Sequence, residues 1–370
     1  MGHSHSQIGA SKIPLFKVFM SPEAPDLVTK TLMSGYVGQG PRVDEFEIEL
    51  GRVMGIDPPP LTVSTCTHGL DLAYHMIGIG AGDEVISSAA TCTATNCPLA
   101  TRKARIVWAD VDPITGLIDP LDVKRKMTAR TKAIIAVDWA GRLCDYDALC
   151  DLGVPVVQDA AHSFLADRPG RKHGDYAVWS FQAIKHLTTC DGGAILPPAD
   201  QRKRAELLRW YGFNRKTSVS FRCSQVLEEA GFKHHMNDVA ASIGLANIKH
   251  VEDVVRRHRE NAAFYEAELS NISGVITPPP DPGCSWWLYC LIMKDENARD
   301  AFIPFMAERG IECSVVHARN DKHPAFRYWG GDLPGLEYFS SREVAIPVGW
   351  WLADDDRNRI VAAVKEWLRR

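Results

Sequence analysis

The sequence predicts an α/β protein: a large sheet whose strands alternate with helices, followed by a smaller C-terminal α+β unit. Three observations carry this. Over roughly the first 250 residues, short apolar runs alternate with amphipathic stretches. Most of those runs are rich in Val and Ile without strict alternation, as in a sheet covered on both faces. After a proline-rich break at Pro278-Pro-Pro-Asp-Pro282 the pattern changes to one strand between helices.

The strands are expected at 61–64, 84–88, 105–109, 132–137, 155–158, 176–181 and 193–196. A helix is expected over 68–78, where Leu70, Ala73, Tyr74 and Ile77 recur at helical spacing. Thr65 and Thr67 stand before it as candidate caps. A longer helix over 252–269 carries Val254, Val255, His258, Ala262 and Tyr265 on one side. Beyond the prolines, 286–293 reads as a strand, and 298–309 and 354–368 as helices. The expected organisation is a flexible leader over 1–12, a large domain over 13–250 and a small domain over 251–370.

Composition narrows the function classes. A chain of 370 residues with 45% apolar and 24% charged residues has the balance of an ordinary globular protein. Its net charge of −4 provides no basic field for nucleic acid. No apolar run approaches the ~18–20 residues that cross a bilayer. The first residues lack the apolar centre of a signal peptide. His3 and His5 read as part of the leader, not as a metal site. The ten cysteines include no C-x-x-C pair, so they are expected to be reduced thiols in a cytoplasmic protein. No metal is expected.

The chemistry centres on two residues. Lys185 follows one strand, in Ser180-Phe-Gln-Ala-Ile-Lys185-His, and a Gly192-Gly193 pair comes soon after. Asp159 closes another apolar run, in Pro155-Val-Val-Gln-Asp159-Ala-Ala-His162. This layout suits a pyridine aldehyde cofactor. The amine forms a Schiff base with the aldehyde, and the carboxylate keeps the ring nitrogen protonated. An isolated lysine would read as a surface residue, and an isolated Asp159 as a helix cap. The phosphate of such a cofactor needs donors. Thr67, His68 and Gly69 open a helix after a strand, at the positive end of its dipole. Ser180 can add a hydroxyl. His162 is either a donor to the cofactor's phenolic oxygen or a partly buried histidine. His186, beside Lys185, has no assigned role.

Along nearly its whole length the sequence resembles the DegT/DnrJ/EryC1/StrS sugar aminotransferases. The residues that carry the resemblance are Ser34-Gly-Tyr-Val-Gly-Gln-Gly40-Pro, Asp110-Val-Asp112, Asp159-Ala-Ala-His162, Ser180-Phe-Gln-Ala-Ile-Lys185 and Asp191-Gly-Gly193. They continue through Ala230-Gly-Phe-Lys-His-His-Met236-Asn-Asp238, Ile243-Gly-Leu-Ala and Ile346-Pro-Val-Gly-Trp-Trp-Leu352. The resemblance implies a type I aminotransferase fold with a mixed, mostly parallel seven-stranded sheet. It implies pyridoxal 5'-phosphate on Lys185, with Asp159 under the ring nitrogen and Thr67, His68 and Ser180 on the phosphate. It implies a homodimer with active sites at the interface. Gly35 to Gly38 match a turn at the mouth of the site. Tyr36, on that turn, and His317 are candidates for substrate contact. Gly231 to Asn237 match a loop that enters the partner's site, where Lys233 is a candidate phosphate ligand.

The chain departs from its relatives in three places. Lys233 and His235 stand where many have Asn and Arg. The run Ala90-Thr-Cys-Thr-Ala-Thr-Asn96 lacks the aromatic that often stacks on the ring, which leaves Thr91, Cys92 or some other group to cover that face. His162 replaces a common glutamine. The implied reaction is ping-pong, from L-glutamate to a nucleotide-linked keto-deoxysugar. Arg215, Lys216 and Arg222 read either as contacts for the anionic carrier or as a solvated basic loop. The alternatives are a transaminase for a free keto-sugar acid of octulosonate type, a sugar dehydratase, and a binding protein without activity. Relatives that act as dehydratases have histidine at the lysine position, whereas Lys185 is present here.

Overall fold

The computed structural model describes residues 12–167, 173–215, 224–326 and 331–370. Arg215 is included, whereas Lys216, Arg222 and almost all of the expected leader lie outside the described residues. Seven strands form the main sheet: β1 (Leu61–Val63), β2 (Glu84–Ser88), β3 (Arg105–Ala109), β4 (Thr131–Val137), β5 (Val156–Asp159), β6 (Tyr176–Ser180) and β7 (Gly193–Leu196). Their spatial order is β1-β7-β6-β5-β4-β2-β3. Only β7 runs against its neighbours. The parallel strands are buried along almost their whole length, which is why they read as continuous apolar runs.

Helices cover both faces. In chain order they are α1 (Ala24–Met33), α2 (Pro41–Met54), α3 (Cys66–Ile77), α4 (Thr93–Thr101), α5 (Pro120–Lys126), α6 (Tyr146–Cys150), α7 (Arg202–Leu208) and α8 (Asp238–Asn247). One face packs α3 through Leu70, Ala73 and Tyr74 against Val157 and Val178. The opposite face packs Phe46 of α2 and Ala241 of α8 against Trp179 and Ala194. Gly69 is required where α3 meets the sheet, since a Cβ there would lie 2.6 Å from the Val178 side chain.

Helix α9 (Val251–Leu269) leads into the C-terminal part. The five residues expected on its inner side, Val254, Val255, His258, Ala262 and Tyr265, are all buried. A second sheet follows, ordered β10 (Glu343–Ile346), β9 (Tyr289–Met293), β8 (Val275–Ile276). It packs with α10 (Glu296–Glu308), α11 (Pro334–Arg342) and α12 (Asp354–Trp367). Strand β9 begins three residues later than the apolar run suggests. Trp286 to Leu288 instead cross back towards the main sheet, where Trp287 and Leu288 join its core. Among the described residues, no helix is long and apolar enough to cross a membrane.

Candidate active site

In an open α/β sheet, ligands gather beyond the carboxyl ends of the parallel strands. Asp159 ends β5 and Ser180 ends β6, its hydrogen-bonded neighbour. Asp159 is 3% exposed. Its Oδ2 accepts from the Thr95 hydroxyl at 2.8 Å, and its Oδ1 accepts from the Ala161 amide at 3.1 Å. Thr95 lies 2.8 Å from the Thr91 hydroxyl. Burial raises the Asp159 carboxyl above its ordinary range, opposed by these hydrogen bonds and by Lys185.

Lys185 is partly buried in the turn after β6. Its Nζ lies 3.4 Å from the centroid of the Trp287 ring. Burial lowers its pKa from 10.5 to about 8, while Cys66, Asp159 and Cys92 favour the charged form. The first turn of α3, the start of α4 and the end of β5 therefore converge on one amine. His162 is 3% exposed and stacks on Trp287 at 3.9 Å. Burial, reinforced by Lys185 and His317, holds its pKa far below the ordinary value. Its Nδ1 is buried with no hydrogen-bond partner among the described residues. His317 stacks on the far side at 5.9 Å, and burial lowers its pKa to about 4.

The α3 end is built for an anion. Thr65, not Thr67, is the N-cap: its hydroxyl accepts from the His68 amide at 3.0 Å. The helix therefore starts at Cys66, two residues earlier than the apolar periodicity implies. The Cys66 and Thr67 amides precede the first intrahelical bonds and sit at the positive end of the dipole. Gly193 keeps this end clear. A Cβ there would lie 2.8 Å from the Cys66 nitrogen and 2.7 Å from the Trp179 carbonyl oxygen. The His68 side chain turns to other partners. Its Nδ1 is 2.7 Å from the Ser64 hydroxyl, and its ring stacks on His234 at 4.1 Å.

Lys185, Asp159, Cys92, His162 and His317 thus surround one point, with Thr67 and Ser180 on adjoining elements. Tyr36 and Lys233 are exposed, and no contact joins them to this group among the described residues. Lys233 belongs to a segment that runs beside Trp210 and, through His235, beside Val63. Asp238 ties the glycine turn to this region by accepting from the amides of Gly40 at 2.7 Å and Val43 at 3.2 Å. Sequence reasoning missed Thr95 and Trp287. The Trp286-Trp287 pair just after Gly283 was the available signal for the second.

The arrangement fits pyridoxal phosphate. It has a partly desolvated amine, a buried carboxylate, a helix N-terminus cleared by a glycine and an unpartnered imidazole nitrogen. Comparison with known proteins agrees. The model of the DegT/DnrJ/EryC1/StrS aminotransferase family matches residues 20–365. The chain is similar to the crystal structure of AtS13 from Actinomadura melliaura, with 40% identity, 97% of this chain and 99% of that one covered, and a TM-score of 0.90. It is similar to the sugar aminotransferase CalS13 from Micromonospora echinospora, with 37% identity, coverage of 96% and 99%, and a TM-score of 0.89. The spore coat polysaccharide biosynthesis protein SpsC of Bacillus subtilis (strain 168) is 32% identical over 362 residues, covering 92% of each chain. The fold is that of the type I aminotransferases, and the chain belongs to the DegT/DnrJ/EryC1/StrS family of pyridoxal-phosphate-dependent sugar aminotransferases.

Proposed function

We propose that the protein moves an amino group from L-glutamate to a nucleotide-linked keto-deoxysugar in two half-reactions, with the cofactor carried on Lys185. The observation that carries this reading is the Lys185 amine, partly buried and electrostatically coupled to Asp159. When bound, pyridoxal phosphate supplies an electron sink for the carbon that bears the migrating nitrogen. The residues do the rest. With a pKa of about 8, roughly a tenth of the free Lys185 amine is neutral at pH 7. It can therefore take and return a proton without leaving the site. Asp159, held by Thr95 and Ala161, would present negative charge to a protonated ring nitrogen. The Cys66 and Thr67 amides and the Ser180 hydroxyl would hold the phosphate. The unpartnered His162 Nδ1 would pair with the phenolic oxygen, and the neighbouring His317 would contact substrate.

In this reading Tyr36, on the turn, and Lys233 complete the site of a second copy in a homodimer. Their exposure supports it, as does the apolar surface of Leu32, Met33, Tyr36 and Val37, which a partner would cover. Arg215 donates to the Gln39 carbonyl at 2.6 Å and lies over Trp210, which puts a cation beside the glycine turn for an anionic carrier. The proposal also divides the chain into a large domain over 13–250 and a small domain over 251–370. It places the reaction in the cytoplasm, where reduced thiols persist.

The test is the absorbance spectrum of the purified protein before and after L-glutamate, followed by a panel of nucleotide-linked and free keto-sugars. A visible band that glutamate converts to a shorter-wavelength band, and that a nucleotide-linked keto-sugar restores, is the expected result. Restoration only by a free keto-sugar acid would replace the nucleotide-linked substrate. A Lys185→Ala variant that still shows the original band would remove Lys185 from its role.

A further inference from the structure

Trp287 is the residue most closely applied to the Lys185 amine, and the chain makes an unusual effort to put it there. It comes from the segment between α9 and β9, more than 100 residues after Lys185. That segment is stitched to the loops that follow β4 and β5 at several points. The Asp167 amide donates to the Gly283 carbonyl at 2.9 Å, and the Ser285 amide donates to the Gly141 carbonyl at 3.0 Å. The Ser285 hydroxyl donates to the His162 carbonyl at 2.9 Å. Two non-glycine residues at this crossing hold left-handed backbone, Trp286 at φ +53° and Ala140 at φ +60°. Strain of this kind persists only where the surroundings over-determine it, and it gathers at functional sites. The indole itself is pinned. Its Nε1 donates to the Ile184 carbonyl at 3.0 Å, one residue before the lysine, and its ring stacks on Phe16 at 5.1 Å and on His162 at 3.9 Å.

We propose that Trp287 is a positioning residue for Lys185, its ring receiving the ammonium whenever the lysine is not bonded to the cofactor. The proposal rests on the assignment of Lys185 as the anchoring residue. An ammonium is attracted to an indole face, more strongly where water is excluded. In this site the ring is the one aromatic face against the amine among the described contacts. It thus holds the freed side chain within reach of the reacting carbon and stabilises its charge against burial. The other groups that face this amine are Asp159 and His162 from β5 and the turn after it, Cys66 from α3, Cys92 before α4, the neighbouring His186, and His317. Of these, Cys66, Asp159 and Cys92 favour the charged form.

The test titrates the amine directly. Cofactor-free wild type, Trp287→Leu and Trp287→Phe are labelled with acetic anhydride over a pH range spanning 8, and modification of Lys185 is read by peptide mass spectrometry. Leucine keeps apolar bulk but has no π face, so the Lys185 pKa should fall by roughly one unit, and phenylalanine should restore most of it. A purely structural role for the indole predicts no such split. An unchanged or raised pKa in Trp287→Leu, with circular dichroism showing the fold intact, overturns the proposal. Should Trp287→Leu fail to fold, the Trp287→Phe result decides: a wild-type pKa supports the aromatic face, and a pKa lowered by a full unit overturns it. Protection of Lys185 by pyridoxal phosphate is measured in the same wild-type samples. Loss of that protection would remove the anchoring assignment itself, a failure distinct from that of Trp287.

Discussion

An amine with a pKa near 8 is costly for a fold to hold, and at Lys185 that cost belongs to the proposed site. The unfolded chain binds this proton up to about pH 10.5, the folded chain only up to about 8. Folding is therefore disfavoured by this residue below pH 8, and the penalty is relieved as pH rises from 8 to 10.5. Its size is at most roughly 3 kcal/mol. We expect cofactor-free Lys185→Met to melt higher than wild type at neutral pH, with the gap closing above pH 8. A scanning calorimetry series across that range checks this, and a gap independent of pH would show that burial is not its cause. Lys185 and Asp159 could be singled out in the sequence from local context: Asp159 closes β5 and Lys185 lies in the turn just after β6, at the end of the sheet where ligands bind. Thr95 and Trp287 were not, because the residues they serve lie far from them in the chain.

At the scale of elements, the N-terminus of α3 is the helix end proposed to hold the phosphate. Thr65 satisfies the His68 amide, which leaves the Cys66 and Thr67 amides for a ligand. Thr65→Ala should lower stability by about 1 kcal/mol and weaken pyridoxal phosphate binding. Gly193→Ala should weaken binding more, since its Cβ would press on the Cys66 nitrogen. Both are checked by melting curves and cofactor titration; cofactor affinity equal to wild type in both would separate α3 from the phosphate. The strands and α3 were readable because their buried residues are apolar. Helix α4, from Thr93 to Thr101, was not. Its buried residues include Thr95, Asn96 and an internal Pro98, and no apolar stripe marks it. Thr95 is buried because Asp159 awaits it, and Asn96 because its amide donates to Asn320 at 3.0 Å. Helix α8 is similar, with Asp238, Ser242 and Asn247 inside.

For the whole molecule, buried titratable groups couple stability to pH. His258, 3% exposed on α9, has its Nδ1 2.8 Å from the Trp286 carbonyl oxygen and its ring 4.6 Å from His186. Burial lowers its pKa from 6.5 to about 4. The unfolded chain takes up this proton first, so its contribution is present above pH 6.5 and is lost as pH falls towards 4. Glu343, raised by burial from 4.5 to about 8, acts oppositely, losing stability as pH rises through that window. The two slopes partly cancel in the wild type. A His258→Phe variant should therefore lose less stability than wild type between pH 6.5 and 4, by up to roughly 3 kcal/mol. Parallel melting curves at several pH values measure this, and identical slopes would mean that His258 is not buried neutral.

By itself, the sequence determined the order of the strands along the chain, the helix faces marked by apolar spacing, which lysine and carboxylate to propose for the cofactor, and the family. Those are local properties: a run of Val and Ile buries itself whatever its neighbours are, and a strand end presents its last side chain to the ligand crevice. Only the tertiary structure decided which cap closes α3, why polar helices stay buried, and which aromatic meets the lysine. Those depend on partners brought together by folding, 64 residues apart for Thr95 and Asp159 and 103 for Ile184 and Trp287. A hydrogen bond or ring contact across such distances leaves no periodicity for one chain to display.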